Sequence, residues 1–176
     1  MRLTRTKSLL RFTCGPLETR LLRNVFTELL AQYRLKPGEV DPNTAAAWYS
    51  TRGCQTAGMT AEETQDWLNH LQQLKGGSVT RLEDWSAQLG RPGQDPDNSS
   101  LHVRLEDADS FITALNDHRL RVASCRQIGQ REMDVESPQA LAVLPVAQQE
   151  ALFEIHILAW LIEDTLRALE AGSGGD

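Results

Sequence analysis

The most apolar stretch of the chain is residues 146–171. Its middle places large apolar side chains on nearly every side of a helix: Leu152, Phe153, Ile155, Ile157, Leu158, Trp160, Leu161 and Ile162. A surface helix shows one apolar stripe, whereas a helix that is apolar all round is typical of burial among neighbouring elements. The pattern therefore predicts a buried C-terminal helix. Each side chain of this set, if fully buried, should stabilise the core by about 1.5–3 kcal/mol.

Strands are predicted by a second pattern, in which apolar and polar residues alternate. This alternation occurs in residues 2–6 and 8–14, and again in residues 101–105. A period of two indicates strands with one buried face. We expect the first two strands, with the third if it joins them, to form a small two- or three-stranded antiparallel sheet at one edge of the molecule.

Helical periodicity accounts for most of the remaining chain. Apolar residues recur at intervals of three and four, which is typical of amphipathic helices, in residues 16–36, 60–77, 78–89 and 106–128. A further short helix is predicted for residues 41–48, and the mixed polarity of residues 130–144 predicts a connector. Thr60 and Glu63 also have the spacing of a capping box. Together these elements predict a mainly α fold of the α+β class.

Residues 1–171 are predicted to form one globular domain, because a chain of 176 residues suits one hydrophobic core better than two. Turn-forming residues predict an exposed loop at 91–100, and the composition of residues 172–176 predicts a flexible tail. No apolar run approaches the roughly 20 residues of a membrane span, and no long apolar segment follows the first basic residues. We therefore expect a cytoplasmic protein that does not enter a membrane.

Charge is unevenly distributed along the chain. The net charge is −6, but the first 34 residues contain seven Lys or Arg and two Glu, a net +5 that leaves −11 on the rest. The acidic remainder repels phosphate, which argues against nucleic-acid binding. We expect the basic segment to contact the acidic body of the protein or an acidic partner. A transcriptional regulator, one alternative function, would bind DNA in a salt-dependent way through Arg2, Arg5, Lys7 and Arg11.

The three cysteines, Cys14, Cys54 and Cys125, are odd in number and widely spaced. This argues against a disulfide framework and for a reducing compartment. Cys54 lies in a predicted loop and is the only one whose placement would permit reactivity, because Cys125 falls late in a helix, where the dipole disfavours a thiolate. Buried or incidental thiols are the favoured interpretation of all three.

His156 lies in the most apolar part of the chain and is followed by Glu163 and Asp164. His156 and Glu163 are seven residues apart and share a helix face, which would suit a metal site or an acid–base pair. However, the chain contains no Glu-x-x-His or His-x-x-x-His spacing, on which helical metal sites rely. A core histidine with one hydrogen-bond partner is the favoured interpretation, and no metal or cofactor is expected.

Asn116, Asp117 and Arg119 lie in the middle of a predicted helix. Asn116 and Arg119 share a face, and asparagine is intrinsically unfavourable inside a helix. One hypothesis is that this amide and the forked guanidinium bind a carboxylate or backbone group of a partner. The favoured alternative is an internal network in which Arg119 joins helices through Glu163, Asp164 or another acidic residue.

The segment around these residues resembles the central motif of an uncharacterised bacterial family, domain of unknown function two thousand and seventeen. The resemblance rests on Val-Arg-Leu at residues 103–105 and on Phe-Ile-Thr-Ala-Leu-Asn-Asp-His-Arg-Leu at residues 111–120. The positions that match the motif are Asn116, Asp117, Arg119 and Leu120. Residues 123–126 read Ala-Ser-Cys-Arg, where the family has Gly-Thr-Arg, so the resemblance implies a divergent member.

The resemblance implies a fold order of strand, acidic helix start, helical core and Trp-containing terminal helix, but it assigns no activity. Relatives are often encoded beside the adaptor that delivers substrates to the Clp protease, which implies a link to regulated proteolysis. The sequence also lacks a recognisable catalytic pattern. We therefore expect a non-enzymatic, cytoplasmic interaction or regulatory protein with a protein partner, and a homodimer stays open. The alternative is a metal-binding protein or enzyme that uses His156 with Glu163 or Asp164.

Overall fold

The fold is described from a computed structural model that covers residues 1–90, 99–135 and 138–171. The predicted tail at 172–176 and most of the predicted loop, residues 91–98, lie outside the described residues. The assignment of residues 1–171 to a single domain therefore stays a prediction.

A three-stranded antiparallel sheet confirms the alternation of apolar and polar residues. Its strands are β1 (Arg2–Arg5), β2 (Leu9–Cys14) and β3 (Ser99–Arg104), in the order β1-β2-β3. Leu10 pairs with Val103, and Phe12 pairs with Leu101. All four side chains are fully buried, so the central pair of strands presents one continuous apolar face to the core.

Helices make up most of the described chain, which confirms the mainly α fold class. Their bounds are α1 (Pro16–Tyr33), α2 (Pro42–Trp48), α3 (Arg52–Thr56), α4 (Ala61–Gly77), α5 (Val79–Gln88), α6 (Ala108–Cys125), α7 (Gln130–Met133), α8 (Pro138–Ala142) and α9 (Val146–Glu170). A single 3₁₀ turn, Leu105–Asp107, joins β3 to α6. The predicted connector at 130–144 contains the two short helices α7 and α8, and α3 was not predicted.

Helix starts follow the local sequence closely. Pro16 occupies the first turn of α1, where its missing N–H has no helical partner to lose. At α4, Thr60 accepts a hydrogen bond from the Glu63 N–H, and the Glu63 carboxylate accepts one from the Thr60 N–H. This capping box confirms the prediction made from the spacing of the two residues.

The main hydrophobic core lies between the sheet and helices α1, α5 and α6. Four aromatic rings meet there, and Phe111 of α6 is the common neighbour, 5.2 Å from Phe12 and 5.3 Å from Trp85 between ring centroids. Phe26 contacts the same ring from α1. A smaller second cluster joins the end of α6 to the start of α9, where Val122 packs with Leu152 and Ile155.

Helix α9 is buried through one face only, so its expected all-round burial was wrong. Leu158 and Leu161 are buried, but Phe153 is 56% exposed and Trp160 is 64% exposed. Ile157 and Ile162 are half-buried. The reason is geometric: α9 packs principally against α6, and a helix can bury only the arc that faces a neighbour. The opposite arc keeps its apolar side chains in contact with solvent.

The end of α9 is held by the first strand. Arg5 Nη1 donates hydrogen bonds to the carbonyl oxygens of Ala168, at 2.7 Å, and Leu169, at 2.6 Å. The last carbonyls of a helix lack helical partners and carry partial negative charge, so a guanidinium stabilises them. Part of the basic N-terminal segment therefore binds the protein's own backbone.

Candidate functional site

The candidate residues on α6 are placed in three different environments. The Asn116 side chain is exposed, Asp117 is buried, and Arg119 is half-buried. Neither Asn116 nor Arg119 makes a side-chain hydrogen bond to another described residue, and the Arg119 Nε is both buried and without a partner. Of the three, Asp117 is the one that joins other elements of the fold.

Asp117 is the centre of a buried polar cluster. Its Oδ2 accepts a hydrogen bond from the Tyr33 hydroxyl at 2.6 Å and forms an ion pair with Lys75 Nζ. Its backbone carbonyl accepts a hydrogen bond from Trp48 Nε1 at 2.8 Å. The cluster thus ties α6 to α1, α2 and α4 at a single residue.

Aromatic rings surround the ammonium group of Lys75. Its Nζ lies 4.5 Å from the ring centroid of Trp48, 5.2 Å from that of Tyr33 and 6.0 Å from that of Tyr49. A cation over an aromatic face is attracted by the ring quadrupole, and more strongly where water is excluded. Lys75 is therefore stabilised in its buried position by the rings as well as by Asp117.

Burial and the negative charge of Asp117 raise the pKa of both nearby tyrosines, Tyr33 and Tyr49. Burial raises the pKa of Tyr33 far above its ordinary value, and the negative charge of Asp117 and its hydrogen bond raise it further. Burial also raises the pKa of Tyr49, with a second contribution from Asp117. Both shifts favour the protonated phenol, and Tyr33 remains a hydrogen-bond donor to Asp117.

The cluster lies at the floor of a cleft of about 610 Å³. Helices α2, α4 and α6 line it, and its apolar lining includes Leu74 and Leu120. These two leucines are 56% and 43% exposed. A concave surface with apolar walls and a few convergent polar groups is the usual form of a ligand site.

The predicted network between Arg119 and the acidic residues of the last helix was wrong. Glu163 and Asp164 both pair with Arg167, at 3.0 Å and 3.1 Å. Burial lowers the pKa of the Arg119 guanidinium, and the charge of Glu163 opposes this effect without a direct hydrogen bond. Residues at positions 163, 164 and 167 lie on adjacent turns of one helix and satisfy one another locally.

His156 does not lie in the core. Its side chain is exposed on α9, so the interpretation as a buried histidine with one partner was wrong. Glu163, its proposed companion, is engaged by Arg167. Within residues 1–90, 99–135 and 138–171, no group of three or more His, Cys, Asp or Glu side chains is arranged to hold a metal ion.

A different histidine, His118, forms a second polar cluster that the sequence hypotheses did not include. It is 1% exposed, and its Nε2 lies 2.7 Å from Glu154 Oε1. Its Nδ1 has no hydrogen-bond partner among the residues that the structure describes, and it lies 3.9 Å from Glu28 Oε2, which is paired with Arg121. This cluster joins α1, α6 and α9.

Cys14 and Cys54 are buried, in agreement with the favoured interpretation, and Cys125 is exposed. The predicted loop around Cys54 was wrong, because these residues form the short helix α3. Burial raises the pKa of the Cys14 thiol to about 11. Cys125 is the thiol that solvent reaches in the described part of the chain.

The exposed arc of α9 carries an apolar stripe. Val146, Phe153 and Trp160 are 68%, 56% and 64% exposed, and Ile157 is half-buried between the last two. Residues seven apart return to nearly the same side of a helix, so these side chains are aligned. We refer to Val146, Phe153, Ile157 and Trp160 as the α9 stripe.

One family model, described as "Domain of unknown function (DUF2017)", matches residues 70–169. The chain belongs to this family. The match extends from α4 to the end of α9, so the DUF2017 region contains Lys75, Asp117, His118 and the α9 stripe. Tyr33, Trp48 and the first two strands precede the matched residues. The resemblance noted in the sequence around residues 103–120 is thus confirmed.

Comparisons with curated proteins and with solved structures identify no further relative of the chain. No curated protein and no solved structure matches the chain. None of the helices in the described ranges is both long enough and apolar enough to cross a membrane. Any function of this DUF2017 member has therefore to be argued from its own surface and cleft.

Proposed function

We propose that the protein is a non-enzymatic interaction or regulatory protein, and that the α9 stripe is its docking surface for a protein partner. The observation that supports this is the exposure of Phe153 and Trp160 on one side of a long, well-packed helix. Aromatic side chains are enriched at interaction sites, where their large area is removed from water on binding. Aligned apolar residues on a helix are also what a second helix packs against.

The charges beside the stripe indicate the chemistry of the partner. Helix α9 contains five acidic residues and one arginine. Glu150 lies on the stripe side between Val146 and Phe153, and it has no ion-pair partner among the described residues. We propose that the partner presents an amphipathic helix with basic residues beside its apolar ones, because opposite charges steer association and fix register.

A second copy of this chain fits the same surface less well. Two α9 helices packed through their stripes would bring two acidic helices together, and like charges across an interface are unfavourable. A homodimer is therefore the competing occupant, and its formation through the stripe is an outcome that the experiment has to separate from partner binding.

The experiment is site-specific photo-crosslinking in the native host, with benzoylphenylalanine at position 153. We expect one protein to crosslink through a basic amphipathic helix, and the purified partner to bind the wild-type chain in calorimetry. Trp160→Glu should abolish this binding, whereas Leu166→Glu should preserve it, because Leu166 is exposed on α9 but lies off the stripe. Both substitutions are at the surface and should change stability by less than about 0.5 kcal/mol.

Two results would contradict the proposal. Crosslinks only to a second copy of the chain would make the stripe a homodimer interface. If Trp160→Glu and Leu166→Glu lose partner binding equally, or both retain it, the α9 stripe is not the surface that binds the partner.

A cytoplasmic location and a link to regulated proteolysis are finer parts of the proposal. The link to proteolysis is supported only by the genes that neighbour the relatives of this family, and the cytoplasmic location is an expectation from the sequence. Under this proposal the partner would be a protease component, its adaptor or a protein that it degrades. When Trp160→Glu replaces the wild-type chain in cells, the half-life of the partner should change. If the partner is a protease component or an adaptor, the half-lives of the substrates of that protease should change instead.

A further inference from the structure

The cleft above Asp117 is separate from the α9 stripe and has its own chemistry. Its walls are formed by α2, α4 and α6, and none of the stripe residues lines it. Leu74 and Leu120 are exposed there on two different helices. An apolar group entering the cleft would remove both leucines from water, which favours binding by about 25 cal/mol per Å² of apolar surface buried.

The floor of the cleft offers hydrogen-bonding groups that the protein leaves partly unused. An ammonium group has three N–H donors and a carboxylate accepts about four hydrogen bonds. Lys75 directs one donor to Asp117, and Asp117 receives Lys75 and Tyr33 on the same oxygen, Oδ2. Its other oxygen accepts no hydrogen bond from a residue in the described ranges. The floor therefore holds a carboxylate oxygen that no described residue uses, beside ammonium N–H groups that lie over aromatic rings and not against hydrogen-bond acceptors.

The net charge of the floor selects among ligands. Lys75 and Asp117 neutralise each other, and Arg81 at the rim is paired with Asp107 at 2.5 Å. Asp109 also lines the cleft, but its side chain is exposed, so water screens its charge. An anion would be attracted by Lys75 but repelled by Asp117. A cation would be attracted by Asp117 but repelled by Lys75. A neutral group that accepts from Lys75 and donates to Asp117 satisfies both, and no buried charge is left without its partner.

A primary carboxamide has this arrangement, because its carbonyl oxygen and NH₂ group are held side by side in one plane. We propose that the cleft is a binding site for a small primary carboxamide that carries an apolar body. The carboxamide contacts Lys75 and Asp117 at the floor, and the apolar body lies between Leu74 and Leu120. Thr113 and Ser110, which share the α6 wall with Asp117, provide hydroxyl groups above the floor.

The test uses three probes of nearly the same shape: benzamide, benzoate and benzamidine, which are neutral, anionic and cationic at neutral pH. Binding is followed by NMR on the indole N–H of Trp48, which donates to the Asp117 carbonyl and lines the cleft. We expect benzamide to shift this resonance in a saturable way and to bind about tenfold or more tightly than either ion, because each ion places a like charge against the floor.

A matched pair of variants locates the binding. Thr113 is exposed on the cleft wall and Thr27 is exposed on α1 outside the cleft. Thr113→Trp should fill the cleft and lower the affinity for benzamide by about tenfold or more. Thr27→Trp should leave this affinity unchanged. Neither position contributes to the buried pair, so both variants should fold.

Several outcomes would overturn the proposal. Preference for benzoate or benzamidine would make the cleft an ion site, and equal binding to both tryptophan variants would place the ligand elsewhere. Tighter binding of acetyl-leucine methylamide than of benzamide would identify a peptide backbone as the ligand. Absence of saturable binding by all three benzene probes would show that the floor is purely structural.

Discussion

Asp117 and His118 are neighbours on α6, yet they anchor two buried polar clusters of different character. Successive residues on a helix point about 100° apart, so Asp117 faces α4 and α1 while His118 faces α9 and the other side of α1. Asp117 and Lys75 are only 11% and 10% exposed at their side chains. Glu154 and Glu28, the acids around His118, are 27% and 47% exposed.

The exposure of the charged groups determines how much each polar contact contributes to stability. In the Asp117 cluster each charge depends on the other, because only about a tenth of each side chain is exposed at the cleft floor, and water replaces a lost partner poorly there. In the His118 cluster the carboxylates reach solvent, so water can compensate for a missing contact. Loss of one group should therefore cost much more on the Asp117 side of α6 than on the His118 side.

The largest expected effect is on Lys75. Lys75→Met should lower the free energy of unfolding by about 3–5 kcal/mol, because it leaves the Asp117 carboxylate buried and unpaired. Urea denaturation followed by circular dichroism measures this. The double variant Lys75→Met/Asp117→Leu should recover most of the loss, since it removes both charges and leaves only the Tyr33 hydroxyl without its acceptor. A single variant as stable as wild type would mean that water reaches the pair.

The next effect is alkaline destabilisation through the tyrosines. The chain contains two tyrosines, Tyr33 and Tyr49, and the pKa of each is raised in the folded state. A raised pKa means that the folded state holds the proton longer. The stabilisation is therefore complete below the ordinary tyrosine pKa of about 10 and is lost as pH rises above it, by about 1.4 kcal/mol per pH unit per tyrosine.

Absorbance at 295 nm tests this directly. The Tyr33 tyrosinate should appear only as the protein unfolds, so in Tyr49→Phe the rise in absorbance and the loss of near-UV circular dichroism should coincide. Tyrosinate formed near pH 10 in a folded protein would contradict the burial of the Asp117 cluster.

The smallest effect is expected at His118. His118→Leu should cost about 1 kcal/mol, because Glu154 loses one hydrogen bond but keeps access to water. Urea denaturation with Glu154→Gln as the companion variant completes a double-mutant cycle. A loss of unfolding free energy comparable with that of Lys75→Met would show that water is excluded equally from the two clusters.

Local elements could be predicted from the sequence because their causes are local. The capping box of α4 depends on Thr60 and Glu63, three residues apart, and the strands depend on alternation within six residues. Helical periodicity likewise places His118 on one face with Leu115 and Val122, and all three are buried. In each case the residues that decide the structure lie within one or two turns.

The site could be predicted only in part, because its contacts are distant in sequence. Asp117 was a candidate, but Lys75 lies 42 residues away and Tyr33 lies 84 residues away. A lysine in the last turn of α4 looks like an ordinary complement to the helix dipole. Phe153 and Trp160 were misassigned to the core for a related reason: apolar composition does not reveal how many neighbours a helix has.

The hydrogen bonds from Arg5 to the end of α9 have a consequence for biosynthesis. They join residues 163 and 164 positions apart. On the ribosome, β1 emerges before α9, and its arginine can contact those carbonyls only after the end of α9 has emerged. A nascent chain stopped within α9 would expose the unfilled edge of the sheet, which is the kind of surface that chaperones bind and that aggregates. Helix α9 must therefore be synthesised to its end before the Arg5 contacts can form.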